Sequence, residues 1–105
     1  MSETFEVHLT LTRDTPNSMN FLDTRAGLDK IWYKFDSDPS GNITLSATPD
    51  GFEHLARYFL KMARTGKHPG YHAHHSLEYA TGPAEGPELT IMVANAPDGF
   101  FGPLP

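Results

Sequence analysis

Histidines are concentrated in one short stretch of this chain, four of the six within eight residues. They are His68, His72, His74 and His75. Neutral imidazole is the commonest protein ligand for metals, and it titrates near neutral pH. Pro69 and Gly70 prevent a helix from continuing into the stretch. If the chain is extended from residue 71 onward, side chains alternate between faces, so His72 and His74 point one way and His75 the other.

One interpretation of the spacing is a metal site made of His72, His74 and Glu78, with zinc or another divalent metal as the ion. Imidazole and carboxylate are both ligand types that zinc accepts. The spacing is also similar to the first metal motif of the cupins, in which two histidines and a glutamate bind a metal inside a barrel. The second cupin motif has no counterpart, because no histidine follows His75. We expect instead an exposed polar or purely hydrogen-bonded surface without any cofactor, and the metal site is the alternative.

Other catalytic patterns are not found in the sequence. It contains no nucleophile elbow, no glycine-rich phosphate loop and no HExxH motif. It also contains no cysteine, which excludes disulfides, thiolate catalysis and cysteine-based zinc sites. We therefore expect a protein that is not an enzyme, with a metal-dependent enzyme as the alternative.

Length and charge narrow the function classes further. A chain of 105 residues predicts a single domain, residues 1–105. The net charge of −5 and the lack of a basic stripe argue against nucleic-acid binding. No apolar run approaches the roughly 18 residues of a membrane span, and nothing resembles a signal peptide. The absence of cysteine fits a reducing compartment, so we expect a cytoplasmic protein with no membrane partner.

A predicted helix directly precedes the histidine stretch and positions its first residues. Thr48, Pro49 and Asp50 form a helix start, because they supply a cap, a favoured first residue and a charge that complements the dipole. Gly66 is a typical stop, so we predict a helix over about residues 49–65. Helical spacing assigns an apolar stripe to its buried face, consisting of Phe52, Leu55, Ala56, Phe59, Leu60, Met62 and Ala63. The solvent face consists of Glu53, Arg57, Lys61 and Arg64.

Alternating apolar and polar residues predict strands on both sides of the helix. The predicted strands span residues 4–12, 30–35, 43–47, 76–80 and 88–95. Together they predict an α+β fold of order βββαββ. Its antiparallel sheet has four or five strands, and the main helix packs on one face. Glycine and proline punctuate residues 96–105, which predicts an irregular tail.

Aromatic and histidine residues outside the predicted core are candidate partner contacts. They are Trp32, His68, Tyr71, His75, Phe100 and Phe101. Trp32 is either covered by the long connection over residues 13–30 or exposed at a contact surface. The two phenylalanines either fold back onto the domain or offer a hydrophobic contact to a partner. A homodimer formed through the tail or a sheet edge is a further alternative.

Residues 41–94 resemble a family of small bacterial immunity proteins that accompany polymorphic toxins. The shared pattern is a strand, a helix, a His-x-His-His-x-Leu segment and a short apolar strand. The matching residues are Pro49, Gly51, Leu55, Ala56, Leu60, Ala63, His72, His74, Leu77 and Leu89. The resemblance implies an α+β domain that neutralises a cognate toxin by binding it. Its contacts would then come from the histidine segment, residues 13–30 and the tail.

Overall fold

The computed structural model describes residues 3–11, 24–25, 27–64, 68–79 and 87–102. Within these segments the chain is an α+β structure, which confirms the predicted class. Its elements, in chain order, are β1 (Tyr33–Ser37), β2 (Ile43–Ala47), α1 (Pro49–Arg64), β3 (His72–Ser76) and β4 (Glu88–Met92). None of the helices in these segments is long and apolar enough to cross a membrane.

Strands β1 and β2 form an antiparallel hairpin. Its turn is closed by Asp38, whose carboxylate accepts the backbone N–H groups of Ser40 and Asn42, each at 2.9 Å. These hydrogen bonds, with the Asn42 N–H as the largest cause, lower the pKa of Asp38. Gly41 has a φ of +88°, a left-handed conformation that glycine adopts without strain. The turn chemistry over residues 38–42 therefore sets the hairpin register.

The start of α1 is tied to the segment before β1 by Thr48. Its Oγ1 accepts the N–H of Gly51 at 3.0 Å, as a helix cap does, and also the N–H of Trp32 at 3.1 Å. The same hydroxyl donates to the carbonyl of Lys30 at 2.6 Å. The Asp50 carboxylate accepts the N–H of Lys30 at 3.1 Å. The predicted cap is confirmed, whereas Gly66, the predicted stop, lies outside the described residues.

Strands β3 and β4 form a second antiparallel pair. The two pairs meet at one isolated bridge between Lys34 and Glu78. On either side of it, Phe35 N–H donates to the carbonyl of Leu77 at 2.8 Å, and Tyr79 N–H donates to that of Tyr33 at 2.9 Å. The prediction of a single sheet of four or five strands is wrong, because the described residues form two separate two-stranded sheets.

The predicted first strand is also not observed, so the order among the described elements is ββαββ. Residues 3–11 contain no strand, and Thr12 lies outside the described part of the chain. Phe5 and Val7, which alternation places on the apolar face of the predicted strand 4–12, are 84% and 66% exposed. Alternation identifies a face that could be buried, but a strand also needs a neighbouring backbone. No strand in the described segments pairs with residues 3–11.

Helix α1 packs against both sheets, but its buried face is rotated from the predicted one, and of the predicted stripe Leu55 and Met62 are buried as expected. Its buried residues are Gly51, His54, Leu55, Tyr58, Lys61 and Met62. Phe52, Phe59 and Leu60, predicted to be buried, are 50%, 44% and 38% exposed, whereas Lys61 is 1% exposed. A Cβ on Gly51 would overlap the carbonyl oxygen of Trp32, so the backbones approach closely here. This close approach turns the Gly51 side of the helix inward.

Candidate functional site

His72 and His74 lie side by side on the exposed face of β3, as strand alternation predicts. Their ring centroids are 5.0 Å apart, and the ring planes are nearly perpendicular, at 87°. His74 pairs across the sheet with Thr90 of β4. The face thus presents two adjacent imidazoles to solvent.

Each of these rings has an acceptor at its Nδ1 atom. His72 Nδ1 lies 3.0 Å from the carbonyl oxygen of Gly70. His74 Nδ1 lies 3.1 Å from a carboxylate oxygen of Glu88 and 3.2 Å from the Thr90 hydroxyl. A carbonyl and an ionised carboxylate can only accept hydrogen bonds. We therefore assign the hydrogen of each neutral ring to Nδ1, which leaves the lone pair on Nε2.

Glu78, the third predicted metal ligand, is placed elsewhere. Its carboxylate accepts a hydrogen bond from Trp32 Nε1–H at 3.2 Å, next to the bridge with Lys34. β3 ends at Ser76, so strand alternation no longer determines where Glu78 points. In the segments that the structure describes, no three histidine, aspartate or glutamate side chains form a group that could hold a metal. The predicted set of His72, His74 and Glu78 is thus not brought together.

His75, a predicted partner contact, faces the opposite side of β3. Its ring packs edge-to-face on Tyr58 of α1, with centroids 4.8 Å apart. Burial, and next the charge of neighbouring His74, lower the pKa of His75. This position gives His75 a packing role between β3 and the helix.

A second aromatic cluster surrounds His54 in the interior. The His54 ring stacks on Tyr33 at 6.4 Å and meets Tyr79 edge-on at 5.6 Å. Its Nδ1 lies 3.4 Å from the Thr24 hydroxyl, and Arg25 donates to the Tyr79 hydroxyl at 3.3 Å. Burial is the main cause that lowers the pKa of His54, and the Arg25 charge adds to it. Burial, with Tyr79 as the second cause, raises the pKa of Tyr33. With 3% exposure, His54 is enclosed and suits packing better than substrate chemistry.

Three of the other predicted contact residues are exposed aromatic side chains. Trp32 is 38% exposed, and Phe100 and Phe101 are 69% and 86% exposed. The two phenylalanine rings pack on each other, with centroids 5.0 Å apart. They therefore form a small apolar projection near the carboxyl end of the described chain.

The remaining predicted partner contacts, His68, Tyr71 and residues 13–30, do not form a recognisable contact surface in the described residues. His68 is exposed, and its Nδ1 lies 2.9 Å from the carbonyl oxygen of Pro69. Tyr71 is half-buried, and its backbone carbonyl accepts the N–H of Val93 at 2.9 Å. Most of the predicted contact loop over residues 13–30 lies outside the described part of the chain.

The exposed face of α1 is a candidate contact surface that the sequence pattern did not identify, because the pattern predicted these residues to be buried. We call it the outer row, and it consists of Phe52, Ala56, Phe59, Leu60 and Ala63, all exposed. Gly51 and Tyr58 are the residues in the sequence that could have indicated which face of α1 is buried. A glycine inside a helix indicates close backbone approach, and a helix packed through Gly51 and Tyr58 turns Phe52 and Phe59 outward.

A shallow apolar groove of about 260 Å³ lies where the two sheets meet. Its lining consists of Phe35, Asp36, Ser37, Ile43, Leu77, Glu88 and Leu89. Ile43 is 73% exposed there. The groove is a further apolar surface, and it was not predicted from the sequence because the division into two sheets was not predicted either.

The comparisons with known proteins identify no relative. No protein-family model matches the chain, and no curated protein and no solved structure matches it. The immunity-protein resemblance therefore rests on the residues that carry it and stays a prediction.

Proposed function

We propose that this chain is a non-enzymatic binding protein that acts through direct contact with a protein partner. The observation that supports it is the outer row of α1. Large apolar side chains on a helix of a small domain are normally packed, yet Phe52 and Phe59 are 50% and 44% exposed. Exposed apolar patches of this kind commonly mark interaction surfaces.

The outer row has the geometry of a helix contact. Its members recur at spacings of four, three and four residues, through positions 52, 56, 59 and 63, so they lie along one side of α1. Burying a fully exposed large side chain is worth about 1.5–3 kcal/mol, and because these side chains are already about half covered, a partner gains roughly half of that from each. Two phenylalanines and Leu60 therefore supply enough apolar surface to anchor a partner, with the alanines allowing close approach.

The resemblance to immunity proteins supplies the partner class, a cognate bacterial toxin neutralised by binding in the cytoplasm. Charge is compatible with this proposal, since the chain has 13 acidic and 8 basic residues and a net charge of −5. An acidic protein associates faster with a basic partner than with an acidic one. Trp32, Phe100 and Phe101 are further exposed aromatic residues that such a partner can contact.

The test is co-expression with each candidate toxin encoded beside this gene. We expect the wild-type chain to relieve the growth arrest and the double variant Phe52→Ser/Phe59→Ser to lose that protection. Isothermal titration with the purified pair should show at least a tenfold weaker affinity for this variant. The matched control is Phe5→Ser/Val7→Ser, which removes two exposed apolar side chains that are not part of α1 and should protect like the wild type.

Several outcomes would overturn parts of this proposal. Equal protection and affinity for the outer-row variant would remove α1 as the contact surface. Failure of every neighbouring toxin to be neutralised would remove the toxin as the partner class. A concentration-dependent dimer of the chain alone, lost in the outer-row variant, would reassign the surface to self-association.

A further inference from the structure

We propose that His72 and His74 form a two-histidine site for a divalent transition-metal ion, with Zn²⁺ as the probe. The ligand atoms would be the two Nε2 atoms, and Glu88, rather than the predicted Glu78, would orient His74. This inference goes beyond partner binding and does not depend on it.

The first argument is the hydrogen bonding of the two rings. Metal-binding histidines usually donate their other ring N–H to a backbone carbonyl or a carboxylate, which fixes the tautomer and the ring orientation. Both kinds of acceptor are present here. His72 Nδ1 lies 3.0 Å from the Gly70 carbonyl oxygen, and His74 Nδ1 lies 3.1 Å from Glu88 and 3.2 Å from the Thr90 hydroxyl. Each ring thus keeps its Nε2 lone pair for a ligand.

The second argument is the spacing of the rings. A Zn–N bond of about 2.0–2.1 Å puts an imidazole centroid about 3 Å from the metal, so two rings at a tetrahedral angle have centroids about 5 Å apart. The observed separation of His72 and His74 is 5.0 Å. The two residues share one exposed face of a strand that is paired with β4, so the backbone keeps both rings on the same side.

The site would be open, since the described residues bring no third side-chain ligand to it. Two protein ligands leave the other positions of a tetrahedral ion to water or to a group on another molecule. Imidazole favours zinc, nickel and copper, whereas magnesium and calcium prefer oxygen ligands. We therefore expect Zn²⁺ to bind and Mg²⁺ to leave the histidine rings unchanged.

The experiment is a titration of untagged protein with ZnCl₂, followed by calorimetry and by NMR of the histidine ring nitrogens. We expect one zinc ion per chain and shifts at the Nε2 atoms of His72 and His74. Alanine at either position should weaken zinc binding at least tenfold. Glu88→Ala should weaken it by about tenfold or more, as loss of an orienting partner does.

His68→Ala is the matched control, because it removes an exposed histidine from the same stretch without touching the two ligands. It should bind zinc like the wild type. Equal zinc affinity in the His72→Ala/His74→Ala variant, shifts confined to other histidines, or no saturable binding would each overturn the site. His72 and His74 are exposed, so circular dichroism and melting should match the wild type. If the variant does not fold, the NMR shifts of the wild type decide the question.

Discussion

His54 is an ionisable side chain enclosed by the rings of Tyr33 and Tyr79, with 3% exposure. Burial, the positive charge of Arg25 and the proximity of His75 all lower its pKa from the ordinary value of 6.5. The backbone of Thr24 opposes this shift but does not reverse it. The folded state therefore favours the neutral imidazole.

The lowered pKa of His54 predicts the direction of a pH effect on stability. Below pH 6.5 the unfolded chain binds a proton at this position before the folded chain does, so the free energy of unfolding falls as pH decreases. This contribution to stability is complete above pH 6.5. Urea unfolding between pH 7.5 and 5 should show the decline.

NMR titration of the wild-type protein can show whether His54 causes this pH effect. We expect the His54 ring to titrate below the ordinary histidine value of 6.5. A His54 midpoint at or above 6.5 would contradict the prediction, because burial would then not be lowering the pKa of this ring.

At the scale of the element, the first residue of α1 is set by local capping signals, whereas the face that the helix buries depends on the segments that pack against it. Thr48 caps it and also binds the segment before β1, so a single hydroxyl connects the helix to Lys30 and Trp32. Gly51 then lies against the Trp32 carbonyl. The consequence is that adjacent residues Tyr58 and Phe59 have opposite environments, at 2% and 44% exposure.

This rotation predicts unequal effects of two neighbouring substitutions. Tyr58→Ala should lower the free energy of unfolding by about 3–5 kcal/mol, the usual cost of emptying a large buried aromatic site. Phe59→Ala should cost less than half as much, because much of its ring already contacts water. Denaturant unfolding of both variants measures the difference. Equal losses, or a larger loss for Phe59→Ala, would indicate that the sequence-predicted stripe is the buried one.

At the scale of the whole molecule, the described chain has a small interior and several exposed apolar projections. Its buried apolar side chains are Tyr33, Leu55, Tyr58 and Met62. The two sheets are joined by the bridge between Lys34 and Glu78, and α1 contacts residues of both. Phe100 and Phe101 contact each other outside this interior.

The tail phenylalanines should therefore contribute little to folding. We expect Phe100→Ser/Phe101→Ser to change the free energy of unfolding by less than about 0.5 kcal/mol, as exposed substitutions do. Denaturant unfolding measures this, and size-exclusion chromatography in parallel reports the oligomeric state. A larger loss of stability would mean that the tail packs on the domain. A dimer present only in the wild type would make the tail a self-association surface.

The start of α1 and the two strands before it were readable from the sequence because their signals act over a few residues. Thr48, Pro49 and Asp50 placed the start of α1 at Pro49, where it is observed. Asp38 and Gly41 provide the turn between two alternating segments. The opposite directions of His74 and His75 followed from the two-residue period of an extended chain.

Only the tertiary structure decided the helix rotation, the division into two sheets and the carboxylate beside the histidines. Lys61 was predicted to be exposed and is buried, whereas Phe59 was predicted to be buried and is exposed. The reason is that Gly51 packs against the backbone of Trp32, which is distant in sequence. Likewise, Glu88 rather than Glu78 reaches His74, since the β3–β4 register brings it there. Caps and alternation depend on neighbours along the chain, whereas burial and register depend on which distant segments meet. The sequence by itself therefore determined the start of α1 and the alternation of its strands, whereas tertiary contacts determined which segments pair as strands and which surfaces they present.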